Sequence, residues 1–129
     1  MVKKTYKAFN IKDRARSFGY AFKGLGYALK TEHNLWIHSL LALAAIAFGL
    51  WLEITPTEWL FVISAIGFVI VSELFNSSIE ILVDLISPEQ NTKAGLIKDI
   101  SAGAVLLSAI TAALIGLIIF GPKIFSICF

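Results

Sequence analysis

Three long apolar blocks set the terms for any fold this chain can adopt. Residues 35–52 run for 18 positions with His38 as the only titratable group, residues 59–86 run for 28, and residues 106–120 are wholly apolar or small. The last block extends back through Ala102 towards Lys98. A hydrocarbon core about 30 Å thick takes roughly 20 helical residues, so each block can span it. Charged residues make up 16% of the chain, where a soluble domain carries about 25%, and mean hydropathy is +0.80. Lipid offers no partner to an unpaired backbone group, so spanning blocks of this length must be helices. An all-α integral membrane fold is expected.

The polar residues between the blocks give the organisation. Residues 1–11 form a basic tail, and residues 12–30 read as an amphipathic helix: Phe18, Phe22, Leu25 and Leu29 recur on one face while Arg16, Lys23 and Lys30 occupy another. Such a helix suits the headgroup layer, drawn to anionic lipid. Spanning helices are expected over 35–52, 59–86 and 98–120, in a single domain of 1–129. Thr31-Glu32-His33-Asn34 breaks the first helix from the second, and Thr55-Pro56-Thr57-Glu58 forms a tight turn in which Thr57 caps the next helix. Ser87-Pro88 ends that helix, and residues 89–96 form a loop before Lys98 and Asp99 open the last one. Trp36, Trp51 and Trp59 fall near the predicted interfaces and read as anchors. On the last helix Ala104, Ser108, Ala112 and Gly116 make a small-residue ridge for close packing.

Eight Lys/Arg in the first 30 residues, with no uninterrupted apolar core among them, speak against a secretory signal peptide. The same charges, with Lys93 and Lys98 in the second connection and none in the first, predict a cytoplasmic N-terminus and an outer C-terminus, with Lys123 as a mild dissent. The lone cysteine, Cys128, has no internal disulfide partner.

Inside the second block, Glu73, Asn76, Glu80 and Asp84 stand at i, i+3, i+7 and i+11. At roughly 100° per residue they share an arc of about 80° on one helix face. An ionisable group at membrane depth is disfavoured by about 2.5–3.5 kcal/mol on insertion scales, and its default meaning is functional. Glu80 and Asp84 lie near the end of the helix, where carboxylates suit Mg²⁺ held jointly with substrate phosphates. Glu32, at the mouth of the first span, could complete such a site, and Lys98 could meet phosphate oxygens. Glu73 lies deeper, placed to take a proton from a lipid hydroxyl. Three readings follow from this spacing: phosphoryl transfer to a membrane alcohol, a proton or cation relay, and polar packing between protomers. No Walker-type or kinase-type Gly-rich loop is present, so a soluble nucleotide-binding fold is excluded.

The run Glu73-Leu-Phe-Asn76-Ser77-Ser78-Ile79-Glu80-Ile-Leu-Val-Asp84 resembles the signature E-x-x-N-[ST]-x-[IL]-E-x-x-[VLA]-D of the prokaryotic diacylglycerol kinase family. Lys98-Asp99 followed by Ser101-Ala-Gly-Ala-Val-Leu-Leu resembles its second marker, and Glu32-x-Asn34-x-x-x-His38 is similar to the branch that phosphorylates undecaprenol. The resemblance implies a small homotrimer in the bacterial cytoplasmic (inner) membrane, each protomer with a surface helix and three spans. It implies ATP as co-substrate, Mg²⁺ as metal, a membrane lipid alcohol as acceptor and no nucleic-acid partner. Position by position it implies Glu73 as general base with Asn76 supporting it, Glu32 and Glu80 holding the metal, Tyr20, Glu32, Glu80, Lys98 and Asp99 at the nucleotide, and Asp84 as a supporting contact. Three positions depart from the family pattern: Asp13 where a basic residue is expected, Gln90-Asn91 where Tyr-His is frequent, and His38 where the diacylglycerol branch has a carboxylate. The alternative from another class is a non-catalytic oligomer whose carboxylate column binds protons or cations.

Overall fold

Each apolar block folds as a helix in the computed structural model, which describes residues 8–129; residues 1–7 of the expected basic tail lie outside the described residues. The order is α1 (Ile11–Thr31), α2 (His33–Trp51), α3 (Pro56–Ile86) and α4 (Thr92–Cys128), with no strand among the described residues. The 19, 31 and 37 residues of α2, α3 and α4 are long and apolar enough to cross a membrane.

α1 starts where Asn10 accepts a hydrogen bond from the Lys12 amide at 3.0 Å. It stops at Glu32, whose extended backbone turns the chain directly into α2. The break expected over four residues is therefore a single residue, and His33 and Asn34 belong to α2. Phe18, Phe22, Leu25 and Leu29 are all exposed, leaving the apolar face of α1 uncovered by the rest of the chain, as a helix lying in a bilayer surface requires. The Trp36 indole N–H donates to the Leu29 carbonyl at 2.6 Å, so this tryptophan ties α2 back to α1.

The α2–α3 connection is built from two complementary caps. The Ile54 amide donates to the Gly49 carbonyl at 3.1 Å and the Glu53 amide to the Leu50 carbonyl at 3.4 Å, the crossed pair of bonds that ends a helix on a left-handed residue. Glu53 takes that position, with φ of 48°. Thr55, not Thr57, caps α3. Its hydroxyl accepts from the Glu58 amide at 3.3 Å, and its own amide donates to the Glu58 carboxylate at 2.7 Å. Pro56 sits at the first helical position, where no amide N–H is needed.

α3 packs chiefly along α4 and, less extensively, on α2, while α1 touches both α2 and α3 lightly. A small apolar core of Ile54, Val62 and Ile119, with Trp59 and Phe120 packed on it, closes the end of the bundle near the turn. Trp59 is thus partly buried, where the sequence led us to expect an interfacial anchor. At this end Lys123 lies 3.3 Å from Glu58. Along the α3–α4 seam Ser108 is fully buried and Ala112 and Gly116 partly so, while Ala104 is exposed.

α4 begins six residues earlier and ends eight residues later than the sequence predicts. Asn91 caps it, accepting from the Lys93 amide at 2.9 Å. Lys98 and Asp99 therefore stand in the second turn, and the loop shrinks to residues 87–91. At the far end the helix runs through Pro122. A proline lacks only one donor and is tolerated in membrane helices, where neighbouring groups satisfy the freed carbonyl.

A Cβ on Gly49 would come within 2.7 Å of the Trp59 ring and 3.1 Å of Ile54. Gly49→Val is expected to lower stability by about 1–3 kcal/mol through overpacking, measured by unfolding in detergent. The additional change Trp59→Leu should recover much of that loss; no recovery would show that the contact is not the cause.

Candidate active site

The four polar residues of α3 do lie along one stripe: Glu73 and Asp84 meet partners on other helices, and Asn76 and Glu80 meet each other. Glu73 is 2% exposed, the least accessible carboxylate among the described residues. Its Oε1 lies 3.1 Å from His38 Nε2, which projects from the second turn of α2. The contact is close without hydrogen-bond alignment, and Glu73 Oε1 has no hydrogen-bond donor. One turn on, the Ser77 hydroxyl donates to the Glu73 carbonyl at 3.0 Å. Asn76 is buried; its Nδ2 donates to Glu80 Oε1 at 3.0 Å, while its Oδ1 has no partner. Glu32, at the α1–α2 corner, and Glu80 are both near enough to act electrostatically on Glu73. His38 from α2 thus meets Glu73, and Asn76 meets Glu80, with Glu32 at the α1–α2 corner within electrostatic range.

Two buried acceptors without donors stand in this cluster, Glu73 Oε1 and Asn76 Oδ1. An unsatisfied buried acceptor destabilises by about 1–3 kcal/mol. His38 stands against Glu73 Oε1, so the acceptor left open to an arriving donor is Asn76 Oδ1, and a hydroxyl is the simplest such group. Next to the cluster an apolar groove of about 270 Å³ runs between α2, α3 and α4, from His38 and Ile70 to Val62 and Phe120 at the turn end.

A second feature lies nearer the α3–α4 loop. Asp84 on α3 and Lys98 on α4 form an ion pair, and both border an open cleft of about 550 Å³ lined also by Ser87, Glu89 and Asn91. The pair is substantially exposed, with the Asp84 side chain 65% accessible.

Of the residues singled out in the sequence, Asn76 bonds Glu80 one turn from Glu73, Lys98 meets Asp84, and Glu32 stands at the α1–α2 corner within electrostatic range of Glu73. Tyr20 stays 63% exposed on α1 and Asp99 is exposed on α4, neither in contact with the carboxylates. His38, which the sequence marked only as a departure from the diacylglycerol branch, is the partner that reasoning missed. No local pattern signals it, because the two residues stand on different helices and meet only once the hairpin has a register.

Comparison with known proteins is consistent with this geometry. The profile described as prokaryotic diacylglycerol kinase matches residues 19–120. The chain is 37% identical over 109 residues to an undecaprenol kinase of Bacillus subtilis, covering 84% of this chain and 89% of that protein. It is 36% identical over 114 residues to a diacylglycerol kinase of Synechocystis, covering 86% and 64%. A diacylglycerol kinase of Escherichia coli K12 is 31% identical over 99 residues, covering 77% and 81%.

Exposed ion pairs contribute about 0–1 kcal/mol. Asp84→Asn should therefore leave the unfolding free energy in detergent within about 1 kcal/mol of the parent. A larger loss would mean that the Asp84–Lys98 contact clamps α3 to α4.

Proposed function

The chain belongs to the prokaryotic diacylglycerol kinase family and is a membrane lipid kinase, and from that membership we propose that it moves the γ-phosphoryl group of ATP onto the hydroxyl of a polyprenol of the undecaprenol kind. The carrying observation is a carboxylate, Glu73, buried on a spanning helix one turn from Asn76, whose buried Oδ1 has no hydrogen-bond donor. The apolar groove beside it accommodates hydrocarbon, so a lipid bound there has its polar end at the acid cluster. The polyprenol is favoured over diacylglycerol by the Glu32-x-Asn34-x-x-x-His38 run. Diacylglycerol is the second reading, from the names of the other relatives. The family match displaces the non-catalytic reading of the carboxylate column.

Glu73 takes the proton of the lipid hydroxyl as its oxygen attacks the γ-phosphorus and the bond to the β-phosphate oxygen breaks. Asn76 supports the base from one turn away and holds Glu80 in place. Lys98 exchanges its Asp84 partner for phosphate oxygens as the nucleotide enters. Holding donor and acceptor at one depth converts an encounter between two phases into a unimolecular step.

Mg²⁺ fits the residues present. Glu32 and Glu80 would each offer carboxylate oxygens, and this ion favours one or two carboxylates with substrate phosphates completing its shell. Among the described residues no three metal-ligating side chains cluster, so nucleotide oxygens would supply the remaining ligands. When bound, the ion would offset charge on the transferring phosphoryl group.

Further parts of the reading concern assembly and place. Tyr20 and Asp99 meet the nucleotide at a junction between protomers of a homotrimer, which explains why neither reaches the carboxylates within one chain. The protein sits in the bacterial cytoplasmic membrane with its N-terminus and the α3–α4 loop facing the cytoplasm. Lys123, the one basic residue opposing that orientation, is paired with Glu58, which reduces its weight.

The test is transfer of radiolabelled phosphate from magnesium–ATP in micelles containing undecaprenol or diacylglycerol. Labelled polyprenyl phosphate is expected, with a higher kcat/KM than for diacylglycerol. No lipid product from either alcohol would overturn the kinase reading, and a preference for diacylglycerol would overturn the acceptor. In the same assay Glu73→Gln should lower kcat by about 100-fold or more, the usual worth of general-base catalysis.

A further inference from the structure

We propose that His38 is a positioning residue for the phosphoryl-transfer step, holding the Glu73 carboxylate from α2 so that its other oxygen faces the lipid hydroxyl. The inference rests on the kinase reading given above. It adds a residue from a second helix that spacing along α3 could not reveal.

Four observations carry it. His38 Nε2 and Glu73 Oε1 are 3.1 Å apart. His38 is the sole titratable residue of α2 beyond its first residue, His33, so no other side chain of that helix can compensate a buried acid. The remaining charged groups acting on Glu73 are Glu32 and Glu80, both acidic, which leaves the imidazole as the one favourable partner. Finally, His38 lines the end of the apolar groove, next to Leu41, Val69 and Ile70, and so stands between the space for hydrocarbon and the acid. A residue needed only for packing at this place would be served by leucine. A titratable ring at membrane depth is disfavoured unless it does something a hydrocarbon cannot.

The contact orients as well as compensates. A carboxylate on a free glutamate rotor samples several directions, and proton abstraction requires an oxygen within hydrogen-bond reach of the hydroxyl. Oε1, the fully buried oxygen, is occupied by the imidazole edge, so Oε2 is left for the substrate. When the lipid hydroxyl enters, Nε2–H and Oε1 need only a small rotation to align. The proton then passes from the hydroxyl to Glu73 while the new oxygen–phosphorus bond forms. His38 does not take that proton; it fixes the group that does.

The experiment compares His38→Leu, His38→Gln and His38→Asn in the purified full chain, with kcat and KM for lipid and for ATP measured separately. Leucine fills the ring's space without a donor. Glutamine carries an N–H at a reach similar to Nε2, and asparagine is one methylene shorter. A misplacement of about 1 Å can lower a rate by about 100-fold. We expect kcat to fall by about 10- to 100-fold in His38→Leu and His38→Asn, with KM for ATP unchanged, and glutamine to restore kcat to within about fivefold of the parent. Should His38→Leu fail to fold, the glutamine–asparagine comparison still decides. Equal loss in all three variants, full activity in His38→Leu, or a loss confined to KM for ATP would overturn the assignment. A parent protein that phosphorylates no lipid would instead overturn the kinase reading, so the two failures are distinct.

Discussion

A carboxylate sunk between membrane helices must be compensated by the protein, and the fold of this chain is arranged so that Glu73 meets His38. Neither residue would be stable facing lipid, since each ionisable group at depth is disfavoured by about 2.5–3.5 kcal/mol. Their 3.1 Å approach joins α2 to α3 at a point several turns from the connection between those helices. Register therefore has to be set at the turn and transmitted inward.

The turn end does this with structural parts only. Glu53 takes a left-handed conformation to end α2, Thr55 and Glu58 start α3 by reciprocal bonds, and Gly49 admits the Trp59 ring at a distance no other residue would allow. Lys123 binds the far end of α4 to the same corner through Glu58. A slip of one residue on α3 would rotate Glu73 by roughly 100° and carry it away from α2. The opposite end of the bundle holds the polar side chains: Glu32 at a one-residue corner, Glu80 bonded to Asn76, and the Asp84–Lys98 pair beside an open cleft. The polar side chains and the apolar framework thus lie at opposite ends of the helix bundle.

Much of this was legible in the sequence, for physical reasons that differ by region. Long apolar runs have one stable solution in lipid, so the three spans and the amphipathic α1 followed from composition and period. The stripe from Glu73 to Asp84 followed from helical geometry alone. Helix ends were less legible. Thr55 and Thr57 are both competent caps, and the choice is made by Pro56 at the first helical position and by the reach of Glu58. Asn91-Thr92-Lys93 reads as a polar loop until Asn91 folds back as a cap, and the apolar run that sets the last span stops at Phe120 although α4 passes on through Pro122. Pairings between helices were the hardest to see. His38 with Glu73 and Asp84 with Lys98 are separated in sequence and carry no local pattern; they exist only once the hairpins have a register.

The most direct measurement of the central claim is where carbodiimides of different polarity react on the protein in lipid vesicles. Mass-spectrometric mapping should find Glu73 modified by a hydrophobic carbodiimide and spared by a water-soluble one, with the exposed Asp84 modified by the water-soluble reagent. Loss of activity should track the Glu73 adduct. Reaction of Glu73 with the water-soluble reagent as readily as Asp84 would contradict a base buried between α2 and α3.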